Sequence, residues 1–232
     1  HAGATPRVSS FHAHSQPSRL TAIVQSLEAG HDVALLTDAG TPAVSDPGGN
    51  LVQAAREAGA PVVVVPGPSA VVAALSVSGL PADRFTFLGF PPRKGKDRRE
   101  LLEHAASSRW TTVFFEAPTR LVALLRDLEK VCGDARGAAV ARELTKVHEE
   151  VRTGTLAQLR GYYEENPPRG EVTLVVGARP VRAARPAVDE AEVRARAQAL
   201  LDEGLSRRDA AAQVAKELSM ARREAYRIVT EL

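Results

Sequence analysis

Two short loops rich in glycine and proline carry the residues best suited to hold a small molecule. The string Thr37-Asp38-Ala39-Gly40-Thr41-Pro42-Ala43-Val44-Ser45-Asp46-Pro47-Gly48-Gly49 follows the apolar run 33–36, and Pro66-Gly67-Pro68-Ser69-Ala70 follows the apolar run 62–65. Small residues let a ligand approach the backbone closely, and open α/β sheets bind ligands at the carboxyl ends of their strands. Two such loops after neighbouring strands predict one shared cleft, lined by Asp38, Ala39, Gly40, Thr41, Pro42 and Ser45 on one side. Pro66, Gly67, Ser69 and Ala70 line the other, with Ser69 placed to cap the helix that follows.

Two charged clusters sit where later strands should end. One is Phe114-Phe115-Glu116-Ala117-Pro118-Thr119-Arg120, and the other runs from Ala141 and Arg142 through Glu143, Lys146, His148 and Glu149 to Glu150. Glu116, Glu143, His148 and Glu149 are candidate general bases, with no ranking among them. Arg120, Arg142 and Lys146 suit a phosphate or a developing alkoxide; ion pairing within the fold is the competing role for all of these groups. The window 91–99 holds five basic residues, Arg93, Lys94, Lys96, Arg98 and Arg99, and is predicted to touch a nucleic-acid backbone, with a merely solvated loop as the competing reading.

Other chemistries find no support. Neither a G-x-G-x-x-G nor a G-x-x-x-x-G-K-[ST] string occurs, so dinucleotide and P-loop sites are not indicated. His12 and His14 are two apart in a loop, no Cys/His metal spacing exists, and no metal is expected. Ser69 lacks the G-x-S-x-G elbow of a nucleophilic serine.

The elements that must position these groups read as alternating α/β. Continuous apolar runs at 33–36 and 62–65 are the pattern of strands covered on both faces, with helices at 50–58 and 69–79 beside them. A second unit alternates strands at 85–90, 111–115, 138–141 and 172–176 with helices at 98–106, 120–131 and 156–165. Both sheets are expected to be open and mostly parallel. After a proline- and arginine-rich linker at 180–187 come three short helices, 190–203, 206–218 and 221–232, with Gly204 in a turn, either a helix-turn-helix-like arrangement or a small bundle or dimerisation tail. Ser206 with Asp209 resembles a capping box built on the shorter acid. The domains are thus expected at 1–82, 83–179 and 188–232.

Composition bounds the setting. The 232 residues are 44% hydrophobic and 25% charged, enough for a sizeable core, with a net charge of only +2. The arginine-over-lysine bias, beside abundant alanine, is read as a codon-composition effect. One cysteine, Cys132, allows no internal disulfide, and a reducing, cytoplasmic setting is expected. No apolar run is long enough to span a bilayer, so no membrane partner is expected. The chain opens at His1 rather than methionine, and its start is read as incomplete.

The strings DAGTPAVSDPGG, PGPSAVVAAL, FFEAPTR and ARELTKVHEEV, in this order, resemble the ribosomal RNA small subunit methyltransferase I family, of the tetrapyrrole-methylase-like class. The resemblance runs from about Val8 to Leu232 and takes in EGLSRRDAAAQVAKELSMARREAY. It implies a two-domain tetrapyrrole-methylase-like fold with a C-terminal helical RNA-binding domain. It also implies S-adenosylmethionine as methyl donor, and 2'-O-methylation of a cytidine in the decoding region of 16S ribosomal RNA by a homodimer acting on the small subunit. The donor would lie between the α/β domains, against Ala39, Gly40, Thr41, Ser69, Ala70, Glu116 and Ala117, with Arg169, Gly170 and Glu171 closing the far side. The family pattern begins with a strand and a glycine-containing loop that are not found before the first run, so an N-terminal strand is expected to be missing from the first sheet. DNA, lacking the 2'-hydroxyl, is not expected as a substrate. Two other readings stay open: methylation of a small tetrapyrrole, and a non-catalytic nucleic-acid-binding fragment.

Overall fold

The computed structural model describes residues 7–12, 15–180, 189–218 and 220–232. The linker expected at 180–187 falls almost wholly outside them, as does His14. The chain divides into two compact units, His1–Arg179 and Pro180–Leu232.

The first unit is built on a five-stranded sheet. Strands β1 (Phe85–Phe87), β2 (Thr111–Glu116), β3 (Gly137–Arg142), β4 (Glu150–Thr155) and β5 (Val172–Val176) are ordered β1-β2-β5-β3-β4. Only β1 and β2 pair in parallel; β2–β5, β3–β5 and β3–β4 are antiparallel. The expectation of a mostly parallel sheet is therefore corrected. Strand β4, absent from the sequence reading, follows β3 through a short loop and forces a hairpin, and β5 then enters antiparallel to both its neighbours. Its sequence EVRTGT has no apolar alternation, as befits a half-exposed edge strand.

Helices cover both faces. Residues two apart along a strand share a face, so Phe114, Val140, Leu174 and Val176 face one way and Val113, Ala139, Ala141 and Val175 the other. The first set packs with α4 (Lys96–Ser107), α5 (Pro118–Cys132) and α6 (Leu156–Glu165). Helix α5 presents Leu121, Leu124, Leu125 and Leu128, all buried at i, i+3, i+4 and i+7 spacing, and begins with proline at its first position. Helix α6 starts with a complete capping box, in which Thr155 accepts from the Gln158 N–H and Gln158 accepts from the Thr155 N–H. The opposite face packs against Val71, Ala74 and Leu75 of α3 (Ala70–Val77).

The N-terminal part departs most from expectation. Helix α2 (Gly49–Glu57) and helix α3 form where the sequence indicates, and α1 (Pro17–Glu28), which the sequence reading did not identify, precedes them. The runs 33–36 and 62–65 are irregular, not strands. No strand among the described residues pairs with them, and an apolar run without a hydrogen-bonding neighbour gains nothing by extending into a sheet. Ser69, expected to cap α3, occupies the N-cap position but makes no side-chain capping bond.

The C-terminal unit is a three-helix cluster of α7 (Glu190–Asp202), α8 (Arg207–Glu217) and α9 (Arg222–Thr230) around Val193, Ala197, Leu200, Val214, Ile228 and Val229. Arg196 ties α7 to α8 through Glu217 at 2.6 Å, and Arg194 reaches Glu231 at 2.8 Å. Only half of the expected capping box at Ser206 forms. The Ser206 hydroxyl accepts from the Asp209 N–H but itself donates to the Asp209 carboxylate, so that carboxylate does not return to the backbone. Among the described residues no helix is long and apolar enough to cross a membrane.

Candidate functional site

Strand register gathers the charged clusters at one edge of the sheet. Glu116 lies opposite Val172, Val172 opposite Arg142, and Arg142 opposite Glu150, so the four form a row across β2, β5, β3 and β4. The loops leaving β2 and β3 and those entering β4 and β5 therefore emerge together.

At the β2 end, Glu116 is buried. Its Oε1 accepts the Ala117 N–H at 2.8 Å, at the start of α5, and its Oε2 lies 3.0 Å from Arg120 Nη2. That approach makes an ion pair but falls outside hydrogen-bond geometry, so Oε2 is a buried oxygen without a hydrogen-bond donor among the described residues. Burial holds the Glu116 carboxyl above its ordinary value, against the opposing pull of the Ala117 N–H, Arg120 and Arg98. Arg120 also donates to the Pro91 carbonyl at 2.6 Å, while Arg98 makes two bonds to Asp127 Oδ2, at 2.9 and 3.1 Å, and one to the Pro92 carbonyl. Arg93, Arg98, Thr119, Arg120 and Ala123 line an open pocket of about 410 Å³.

At the β3 end, Glu143 is a clamp. Its Oε1 accepts from the Glu171 N–H at 2.9 Å and from Lys146 Nζ at 3.0 Å, and these partners hold its carboxyl below the ordinary range. Lys146 also reaches Glu171 at 3.2 Å. Gly170, with φ +80°, lies so close that a Cβ there would collide with the Glu143 carboxylate. Glu143 and Thr145 both take left-handed backbone conformations, φ 50° and 66°, which are costly for residues with side chains and recur at functional sites. Glu149 holds the same loop by accepting the Thr145 N–H at 2.6 Å. Arg142 is 2.7 Å from Glu150, which Arg152 and the Tyr163 hydroxyl also approach. His148 is exposed, with no hydrogen bond among the described residues.

The two Gly/Pro loops do meet. The Thr41 hydroxyl donates to the Pro68 carbonyl at 3.2 Å, joining segments 27 residues apart. The first loop is braced internally by the Thr37 hydroxyl on Asp46 at 3.2 Å, and Ala43 and Ser45 are left-handed at φ 67° and 59°. It also approaches the strand-end cluster, since Ser45 Oγ is 3.5 Å from where a Gly89 Cβ would be. Asp38, Ala39, Gly40, Pro66 and Gly67 are exposed, and nothing stands within 4 Å of a Cβ built at Gly40 or Gly67.

Of the basic residues singled out by sequence, Arg98 and Arg142 are thus engaged by Asp127 and Glu150, and Lys96 lies 3.4 Å from Glu100. Arg93, Lys94 and Arg99 are exposed and without an ion-pair partner among the described residues. Sequence reasoning missed Asp127 and did not single out Thr119. Asp127 lies 29 residues from the arginine it holds, and no local pattern marks such a partner; Thr119 was legible as Arg120's neighbour.

A mixed five-stranded sheet between helical layers is the fold this chain shares with the tetrapyrrole methylases. The tetrapyrrole (corrin/porphyrin) methylase family matches residues 1–160, and its members are S-adenosylmethionine-dependent methyltransferases. The X-ray structure of the cobalamin biosynthetic enzyme cobalt precorrin-4 methyltransferase is similar in fold. Its TM-score is 0.55 over 70% or more of each chain (71% of this one, 72% of that one), at 17% identity.

Relatives resolve the class further. The chain is 43% identical to "Ribosomal RNA small subunit methyltransferase I" of Synechocystis sp., over 98% of this chain and 81% of that protein. It is 45% identical to the protein of the same name from Xylella fastidiosa, over 97% and 81%. The chain belongs to the ribosomal RNA small subunit methyltransferase I family.

The site fits the family's methyl donor in kind. Two loops tied by Thr41 and Pro68 offer small side chains and open space at Gly40 and Gly67, where backbone groups rather than bulky side chains would meet a nucleoside.

Proposed function

We propose that this chain methylates the 2'-hydroxyl of a cytidine in the decoding region of 16S ribosomal RNA, within the small subunit, as a cytoplasmic homodimer. The observation that carries the reading is the 43% identity that spans 98% of the chain, the C-terminal helices included. Residues 38–42, Ser45, Pro66, Gly67, Ser69, Ala70, Glu116, Ala117 and Gly170 would hold S-adenosylmethionine. When bound, the donor supplies a methyl carbon activated by a positively charged sulfur. The chain's own part is to orient the ribose and remove its proton.

For that proton we propose His148. Glu143 and Glu149 are committed to holding their loop, and Glu116 is buried beneath Arg120. His148 stands exposed on the loop those carboxylates brace. The basic segment 93–99 and the helical unit 188–232 are assigned to RNA positioning, which rests mostly on phosphate contacts.

The test is to incubate the chain with small ribosomal subunits and labelled donor, then digest the RNA and identify the modified nucleoside by mass spectrometry. Labelled 2'-O-methylcytidine in RNA, with none in a DNA of the same sequence, is expected. Label on a base, or on a tetrapyrrole offered in place of RNA, overturns the assignment. His148→Ala is expected to lower kcat by about 10²-fold or more, the usual worth of a general base, while donor affinity stays unchanged.

A further inference from the structure

The pocket between the 91–99 segment and α5 combines features that the RNA reading alone does not specify. Three arginines line it, and two are held in place by carboxylates: Arg98 by Asp127 and Arg120 by Glu116. Those pairings set one carboxylate against each of two guanidiniums, with Asp127 shared with Lys130 at 3.8 Å. Arg93 has no ion-pair partner among the described residues. The lining arginines and the two carboxylates that hold them therefore sum to about one positive charge.

Donors remain to use it. Of the five N–H groups of a guanidinium, the recorded contacts of Arg120 all fall on Nη2, to the Pro91 carbonyl and to Glu116. Nε and Nη1 remain without a partner among the described residues. Thr119, exposed on α5, lines the same pocket. A planar fork whose orientation is already fixed loses little on binding, which suits it to a tetrahedral oxyanion. One net positive charge matches a phosphodiester, with its single negative charge, better than a phosphomonoester or a triphosphate.

We propose that this pocket seats one backbone phosphodiester of the RNA substrate, with Arg93, Arg120 and Thr119 as its contacts and Arg98 as a positioning residue that shapes the wall. The inference rests on the RNA-methyltransferase reading and deepens it by fixing where the strand is gripped. Lys94, Lys96 and Arg99, although on the same segment, do not line the pocket.

The experiment is fluorescence anisotropy of a short single-stranded RNA of mixed sequence with the full chain, over a series of salt concentrations. The variants are Arg93→Ala, Thr119→Val and, as a control, Arg109→Ala, which removes an exposed arginine just before β2, at the far end of that strand from Glu116. Loss of Arg93 is expected to weaken binding about tenfold, as for a charged hydrogen-bonding contact. The slope of log affinity against log salt should shrink by about 0.7, one phosphate contact to a single strand. Thr119→Val is expected to weaken binding about threefold, and Arg109→Ala to change neither quantity.

Equal effects of Arg93→Ala and Arg109→Ala would overturn the proposal. So would a wild-type chain that binds inorganic phosphate through Arg93 but binds no RNA, which would make the pocket a site for small anions. RNA binding that depends on Arg93, in a chain that methylates no RNA, would leave the pocket standing and remove the proposed function instead.

Discussion

Residues 62–65 and Val172–Val176 have nearly the same composition and opposite fates. Val63, Val64 and Val65 are 83%, 75% and 85% exposed, whereas Val175 and Val176 are fully buried at the centre of a sheet. The difference lies in the neighbours. Strand β5 has β2 on one side and β3 on the other and helices on both faces. The 62–65 run has no strand beside it among the described residues. An apolar run states what it can bury, and the company of other strands decides whether it does.

Truncating a buried leucine against an exposed valine sharpens this comparison most. Leu174→Ala, at a fully buried β5 position, is expected to cost about 2–5 kcal/mol of stability. Val64→Ala should stay within about 0.5 kcal/mol, and the shift of the urea midpoint measures both. Equal costs would mean that the 62–65 run is packed in solution. Next in size is Gly170→Ala, which combines a left-handed backbone with the approach to Glu143. A loss of about 1–3 kcal/mol is expected, read as a lower melting temperature.

Helix caps extend the contrast at smaller scale. Thr155→Ala removes a formed capping box and should cost about 1 kcal/mol, while Ser69→Ala removes a side chain that makes no cap bond and should change thermal stability by a few tenths at most.

The smallest effects are those of pH, and they differ in sign between the two sheet-edge acids. Burial raises the Glu116 carboxyl, so the folded state holds that proton where the unfolded state has lost it. Its contribution is present below the unfolded value and is lost as pH climbs through the folded one. Glu143 is lowered by the Glu171 N–H and Lys146; its contribution is present above the unfolded value and is lost as pH falls through the folded one. Chemical denaturation across this acidic window should show Glu116→Gln steepening the rise of stability with pH and Glu143→Gln flattening it. In the C-terminal unit, Glu217 lies at about 2 through its bond from Arg196, so Glu217→Gln should flatten the acid limb of that unit.

Legibility followed the range of the forces involved. Helices α5 and α6 and strand β5 were readable because a periodic leucine stripe, helical apolar spacing and a run of five residues with four apolar are local signals. Strand β4 was not, because an edge strand with a single apolar residue, Val151, is shaped by pairing with β3 rather than by its own pattern. The antiparallel sense of β5 depends on which gap it enters, a matter of tertiary placement. At the site, the meeting of the two Gly/Pro loops was foreseeable from their positions after similar runs. The engagement of Arg98 by Asp127 and of Glu143 by the Glu171 N–H was not, since each joins groups 28 or 29 residues apart.

The central position of β5 has a consequence for the order in which the molecule can be assembled. Strands β2 and β3 are not neighbours; each waits for a segment that a ribosome polymerises last of the five. Until Val176 has left the exit tunnel, the nascent chain holds two half-built ribbons, β1–β2 and β3–β4, each with an open side. Insertion of one late strand then welds them, so completion of this sheet is tied to the end of the first unit's synthesis rather than growing from its beginning.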